Sequence, residues 1–196
     1  MEQTGKPVRE TVEFARIVAF TDGVFAVAIT LLVLSINVPS DVSGAGLHDY
    51  LLDTWPQLFA YFLSFAVIGR FWIAHHRYFA LLHNFDRPLM VLNLGFLSLL
   101  VLVPFATELL GDYNDRSDAV ALYAAVVGTT ALLERVMIRY ARRRGHVHDP
   151  RAAAVAARTL LPPIVFYASI PVAVVSTLAA QLMWLVLVVE VARNRW

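Results

Sequence analysis

Asp22, His75 and Asn93 stand inside long apolar stretches of this 196-residue chain. A carboxylate, an imidazole and a carboxamide can carry protons, hold a cation or tie helices to one another. In hydrocarbon each demands a partner, since a charge near the bilayer centre costs about 2.5–3.5 kcal/mol on insertion scales. Asp22 falls in "RIVAFTDGVFAVAITLLVL", which begins at Arg16 and ends at Leu34. Arg16 is a nearby cation, but six residues is poor spacing for a pair on one helix face, which needs three or four. Asp22 therefore looks to another helix. His75, in "RFWIAHHRYF", and Asn93, in "NLGFLSLLVLVPF", belong to the same depth, near the basic ends of their own segments. The reading is a polar brace in which His75 donates to the Asp22 carboxylate and Asn93 finds an interhelical hydrogen bond. The plainer alternative leaves Asp22 solvated at the membrane interface.

Trp72 and His75 are three residues apart and share a helix face. His75, His76 and His83 raise the question of a metal. Adjacent histidines point about 100° apart on a helix, however, and no Glu-His pattern completes a ligand set. Interfacial aromatic and imidazole rings are the simpler account. Further along the first stretch, Val27, Thr30, Leu31 and Leu34 follow i, i+3, i+4, i+7 spacing. Spacing alone leaves that stripe open between core packing and a pore wall. Gly23, Ala26 and Ala28 permit close helix contact. Pro104 can kink its segment, while Ser98 and Thr107 can bond to their own helix. The seven arginines from Arg135 to Arg158 read as topology determinants and contacts to anionic lipid, not as a nucleic-acid patch. No Ser-His-Asp set, phosphate-cradling glycine loop or zinc motif occurs, and the absence of cysteine excludes disulfides and thiolate sites. Enzyme chemistry, a cofactor, a resident metal and a nucleic-acid partner are all unexpected.

The elements that must position these groups are membrane helices. Hydrophobic residues make up 59% of the chain and charged residues 16%, against roughly 25% charged in a soluble domain. The apolar residues come in blocks separated by short charged stretches, which predicts an all-α integral membrane fold. The blocks are Phe14 to Val38, Leu51 to Ala74, Pro88 to Leu110, Ala119 to Tyr140, and a long run from Leu160 to Val191. As one helix the last run would measure about 48 Å, too long for a hydrocarbon core of about 30 Å. Divided near Ser176 to Gln181, it gives helices over 160–176 and 180–192, six crossings in all. The first block is too long for a signal peptide and lacks a cleavage pattern, so it is expected to remain as an anchor.

Charge orients the bundle. Lys6, Arg9 and Arg16, then Arg70, Arg77 and Arg87, then the arginines from Arg135 to Arg158, and finally Arg193 and Arg195 fall on one side. Arg116 alone falls on the other, with Asp41, Asp49, Asp53, Glu108, Asp112, Asp115 and Asp118. Under the positive-inside rule both termini are cytoplasmic.

With those residues in view, "RIVAFTDGVFAVAITLLVL" resembles the first-helix signature of the transmembrane protein 175 family, lysosomal-type potassium channels with bacterial members. Arg16, Phe20, Asp22 and Gly23 match it, and Thr21 keeps the hydroxyl where serine is usual. "WIAHHRYF" and "LNLGFL…PF" resemble the second- and third-helix patterns. The resemblance implies a homotetramer in a bacterial plasma membrane, surrounded by lipid, passing potassium ions through a pore lined by the first helix. It implies aliphatic rings at Val27, Leu31 and Leu34, with Thr30 as a hydroxyl layer, since no TVGYG filter is present. Arg16, Phe20, Thr21, Asp22, Gly23, Trp72, His75 and Asn93 would then brace the pore helix. A rival reading is a small proton-coupled transporter using Asp22, His75 and Asn93 as a relay; a missing inverted repeat and missing broken helices weigh against it. A membrane-embedded enzyme ranks last.

Overall fold

A computed structural model of the chain describes residues 8–36, 50, 52, 54–147 and 149–193, with side chains from Val12 to Leu187. Among these residues the regular structure is helical throughout. Helix α1, Val8–Leu31, tightens into a 3-10 turn over Leu32–Ser35. Helix α2 spans Trp55–Phe79 and α3 Arg87–Leu100. Asp86 caps α3, its carboxylate accepting the Leu89 N–H at 2.9 Å. Helix α4, Val103–Asp112, continues α3 after a turn at Val101 and Leu102. The break has a covalent cause: Pro104 has no N–H to offer the Leu100 carbonyl, so α3 stops there and Pro104 opens the first turn of α4. Helix α5 spans Ser117–Arg143, α6 Arg151–Arg158, α7 Leu161–Val175 and α8 Thr177–Arg193.

Among the described residues five stretches are long and apolar enough to cross a membrane: Val12–Ser35, Trp55–Phe79, Arg87–Asp112, Ser117–Arg143 and Arg151–Val175. The apolar part of α8, Thr177–Leu187, is shorter. The long run predicted to start at Leu160 does divide, at Ser176. Several boundaries depart from expectation: α1 starts at Val8, six residues before Phe14, and α2 ends at Phe79, five residues beyond Ala74. The fifth span starts at Arg151, not Leu160, because α6 occupies what reads as a basic loop. Helix α5 also runs three residues beyond Tyr140. Val38, Leu51, Asp41, Asp49, Asp53, Lys6 and Arg195 lie outside the described residues, as do the side chains of Arg9 and Arg193.

Lipid tails are as apolar as leucine, so burial alone does not hold such helices together. Close packing and interhelical hydrogen bonds do. Small residues accordingly fill the contacts: Ala28, Ala60, Ala106, Ala124 and Ala131 are fully covered. A Cβ placed on Gly111 would come 3.1 Å from the Gln57 Cα, and one on Gly128 3.2 Å from the Phe166 Cβ. Around them the core joins Phe25 and Leu32 of α1 to Phe71, Phe96, Tyr123 and Trp184. A second cluster of Tyr78, Phe79, Leu89, Met137 and Ile138 closes the basic end.

Candidate functional site

Helix α1 is the least covered span. Within this chain 22% of its apolar window is buried, against 33% to 50% for the other four. Its covered side is regular: Thr21, Phe25, Ala28, Leu32 and Ser35 pack inward, against α2, α3 and α4. The opposite stripe carries Arg16, Phe20, Gly23, Val27, Thr30, Leu31 and Leu34, all exposed. Phe20 is 56%, Val27 55% and Leu34 69% accessible. A Cβ on Gly23 would meet nothing within 4 Å. The Thr30 hydroxyl donates to the Val27 carbonyl at 2.8 Å. Its proton is thereby committed to the backbone, and the residue is exposed.

Behind that stripe lie two separate polar links. Trp72 Nε1–H donates to Asp22 Oδ1 at 2.9 Å, and the Trp72 ring stacks on His76 at 5.3 Å. Beside it, Asn93 Nδ2 donates to Thr21 Oγ1 at 3.0 Å, and Asn93 Oδ1 lies 2.8 Å from His75 Nε2. Because the Asn93 nitrogen is the donor toward Thr21, its oxygen is the acceptor, and His75 carries its proton on Nε2. All three residues are buried. The His75 ring is sandwiched by Phe79 at 3.8 Å and Phe96 at 5.7 Å, with Phe25 edge-on at 5.9 Å.

The structure therefore gathers Thr21, Asp22, Trp72, His75 and Asn93 at one level but pairs them differently from expectation. His75 donates to Asn93 and not to Asp22; the indole takes the carboxylate. Trp72 and His75 share a face, yet three residues of helix rotate them by about 60°, enough to meet different partners. Arg16 lies outside this network, exposed on the uncovered stripe, as do Phe20 and Gly23. Of the small residues, Ala28 is buried and Gly23 and Ala26 are exposed.

Sequence reasoning passed over a second interior pair. Arg70, read as a topology marker, points inward: its Nη1 lies 3.3 Å from Glu134 Oε2, with the two side chains 10% and 0% exposed. Arg70 Nη2 donates to the Arg158 carbonyl at 3.2 Å, so one guanidinium joins α2, α5 and the end of α6. The signal was present, because an ionisable residue inside a span requires a partner. Toward the opposite end, Thr107 donates to Ser64 at 2.7 Å, and Ser64 lies 3.0 Å from the Tyr123 hydroxyl.

At the membrane ends, Asp86 accepts from the Tyr140 hydroxyl at 2.7 Å and lies 3.0 Å from His146 Nε2. Burial works against its charge, but those partners and the Leu89 N–H hold the carboxyl below its ordinary value. Asp149 is pulled down to about 2 by the Arg151 guanidinium and backbone N–H. Among the carboxylates on the side opposite most of the arginines, Asp118 is paired with Arg116 at 3.0 Å and Asp112 accepts from Gln57 at 2.9 Å. Among the described residues no group of three or more His, Asp or Glu side chains is gathered around a metal-sized site.

Comparison with known proteins gives a consistent set of relatives. The family model described as endosomal/lysosomal potassium channel TMEM175 matches residues 16–104. A Streptomyces collinus protein named as a potassium channel is 43% identical over 150 residues, 74% of this chain and 73% of that protein. A Gallus gallus protein named as the endosomal/lysosomal proton channel TMEM175 is 32% identical over 157 residues, 68% of this chain but 31% of its own length. The crystal structure of a lysosomal potassium-selective channel TMEM175 homolog from Chamaesiphon minutus superposes with a TM-score of 0.83 at 33% identity. That match covers 92% of this chain and 97% of the other.

Proposed function

The chain belongs to the TMEM175 family, a family of membrane channels and not of enzymes, and from that premise we propose that it forms a potassium-permeable cation channel in the bacterial plasma membrane. Four copies surround an axis with α1 innermost. Each crosses the membrane six times, α8 completing the sixth passage, with both termini cytoplasmic. The observation that carries this reading is the uncovered stripe of α1. A span that is the least covered in its own chain, yet carries Gly23 and Thr30 among its exposed residues, is shaped for other copies and an ion path more than for lipid alone.

Val27, Leu31 and Leu34 then form successive aliphatic rings, a neck that passes ions by wetting. Thr30 adds a layer of hydroxyl oxygens whose protons are held by the Val27 carbonyls, leaving acceptors for a partly dehydrated cation. Arg16 stands at the basic mouth of the same stripe. Thr21, Asp22, Trp72, His75 and Asn93 do not touch the ion; they set the rotation of α1 against α2 and α3. Potassium as the permeant ion is supported by what the bacterial relatives are named for. The animal relatives named as proton channels make protons the second ion to measure. The relay of a proton-coupled carrier is poorly served, because Asp22 is bound by an indole and Asn93, which does not titrate, separates His75 from Thr21.

Purified protein in liposomes tests the reading. Potassium, sodium and proton fluxes should follow imposed voltage without saturating like a carrier, with potassium exceeding sodium. Leu34→Ala should raise the potassium flux, and Thr30→Val should reduce its preference over sodium. A saturable, proton-coupled flux, or unchanged flux in both variants, rules against α1 as the pore wall.

A further inference from the structure

Between the end of α5 and helix α6 lies a cavity of about 490 Å³, lined on one side by Arg135, Arg139, Arg142 and Arg143. The first three follow i, i+4, i+7 spacing and so share one helix face. Arg135 donates to the Ala156 carbonyl at 3.4 Å, in the last turn of α6. Arg139, Arg142 and Arg143 make no hydrogen bond or ion pair among the described residues. Like charges three and four residues apart on a helix repel one another, and among the described residues no carboxylate is paired with these guanidinium groups. The other wall is largely apolar, with Ala153, Ala156, Ala157 and Leu160 beside Thr159. Leu160 is exposed, and so is Ile164 four residues on, in α7. The cavity sits where one membrane span ends at Arg143 and the next begins at Arg151, which is a membrane boundary whichever side it faces.

We propose that this cavity binds the phosphodiester headgroup of an anionic phospholipid. The free guanidinium groups take the phosphate oxygens as paired N–H···O bonds, and the acyl chains leave along Leu160 and Ile164 into the bilayer. A free phosphate shares the first half of that recognition and lacks the second. The volume, far larger than a phosphate needs, and the apolar exit favour the lipid. A nucleic acid would use the arginines and leave the apolar wall unused. The ligand also has a mechanical consequence. It would clamp α6 to α5, and the carbonyl of Arg158, the last residue of α6, is held by Arg70 of α2, so the lipid would stabilise the fold as well as occupy it.

Native mass spectrometry and thermal unfolding of the full chain in detergent test this. Dioleoyl-phosphatidylglycerol should remain bound at one molecule per subunit and raise the unfolding midpoint. Dioleoyl-phosphatidylcholine and inorganic phosphate should do neither. Affinity should fall about fivefold for each arginine removed, through Arg142→Gln to the triple Arg139→Gln, Arg142→Gln, Arg143→Gln variant. The triple lysine variant keeps the charge and should fall between. If the triple glutamine variant does not fold, the single and lysine variants still give the graded loss. Several outcomes overturn the proposal: no lipid retained by the native chain, equal retention in every variant, the full effect from inorganic phosphate, or stabilisation by a DNA duplex and not by the lipid. The site does not depend on which helix lines the pore, so failure of the flux assay leaves it standing.

Discussion

Asn93 uses both ends of its carboxamide, joining Thr21 of α1 to His75 of α2 from a position on α3. Truncating it leaves two buried polar groups with no partner. Asn93→Ala should therefore lower stability by about 1–3 kcal/mol, seen as a drop in the unfolding midpoint in detergent. Trp72→Phe removes only a donor to a half-exposed carboxylate that water can serve instead, and should cost less than Asn93→Ala. The reverse order would show that the indole is the stronger tie. Asp86 gives a pH signature. Its carboxyl, ordinarily at 3.8, is lower in the folded chain, so its contribution is intact above that value and is lost as the pH falls through the folded one. Between about pH 5 and about pH 3 the unfolding midpoint should fall less for Asp86→Asn than for the native chain. An equal fall places the acid sensitivity elsewhere. The depth of Asp22, His75 and Asn93 was legible in the sequence because residue number along a span converts directly to height. Their pairing was not. It depends on the rotation of each helix about its axis, and the apolar pattern of a span exposed to lipid on one side and protein on the other does not fix that angle.

Helices α2, α5 and α6 meet at the Arg70–Glu134 pair. Removing one member of a buried pair strands the other, so Glu134→Ala should cost about 3–5 kcal/mol. The double change Arg70→Met, Glu134→Met should recover most of that, because neither charge is then left in an apolar interior. A double-mutant cycle on the unfolding midpoint with Arg70→Met and Glu134→Met, singly and together, separates these outcomes, and a double loss equal to the sum of the two single losses would mean that the pair is not coupled. The existence of the first four spans (α1, α2, α3 with α4, and α5) was legible from the length of their apolar blocks. Helix α6 was not, because arginines at each end and an Asp-Pro step read as loop. Its start signal was nonetheless there: Asp149, whose carboxylate accepts the Arg151 N–H at 2.8 Å, then Pro150, then a run of alanines, the strongest helix formers. The interruption of the third block at Val101 and Leu102 was foreshadowed by Pro104 alone.

Across the whole molecule the uneven covering of the five spans makes its own prediction. In a helix that merely faced lipid, Gly23→Ala would be neutral or would stabilise by up to about 1 kcal/mol through helix propensity, since nothing among the described residues obstructs the added methyl. If four α1 helices crowd an axis, the same methyl should weaken the tetramer or lower its flux while the isolated subunit keeps its fold. Mass photometry and liposome flux on the one variant distinguish the two. Gly111→Ala, which presses on the Gln57 backbone, should by contrast destabilise any assembly state. The family membership was legible from residues 16–34 because that stripe is written almost entirely on one helix; the lipid cavity was not, because its two walls are separated by a turn that only the fold closes. The thinly covered α1 also bears on biogenesis. It precedes the other four spans in the chain, and on the proposed assembly its outward stripe would acquire neighbours only after a whole subunit had folded and met its copies. An orphan subunit would then display a glycine- and threonine-bearing stripe to the bilayer, a mark by which membrane quality control would tell unassembled chains from finished channels.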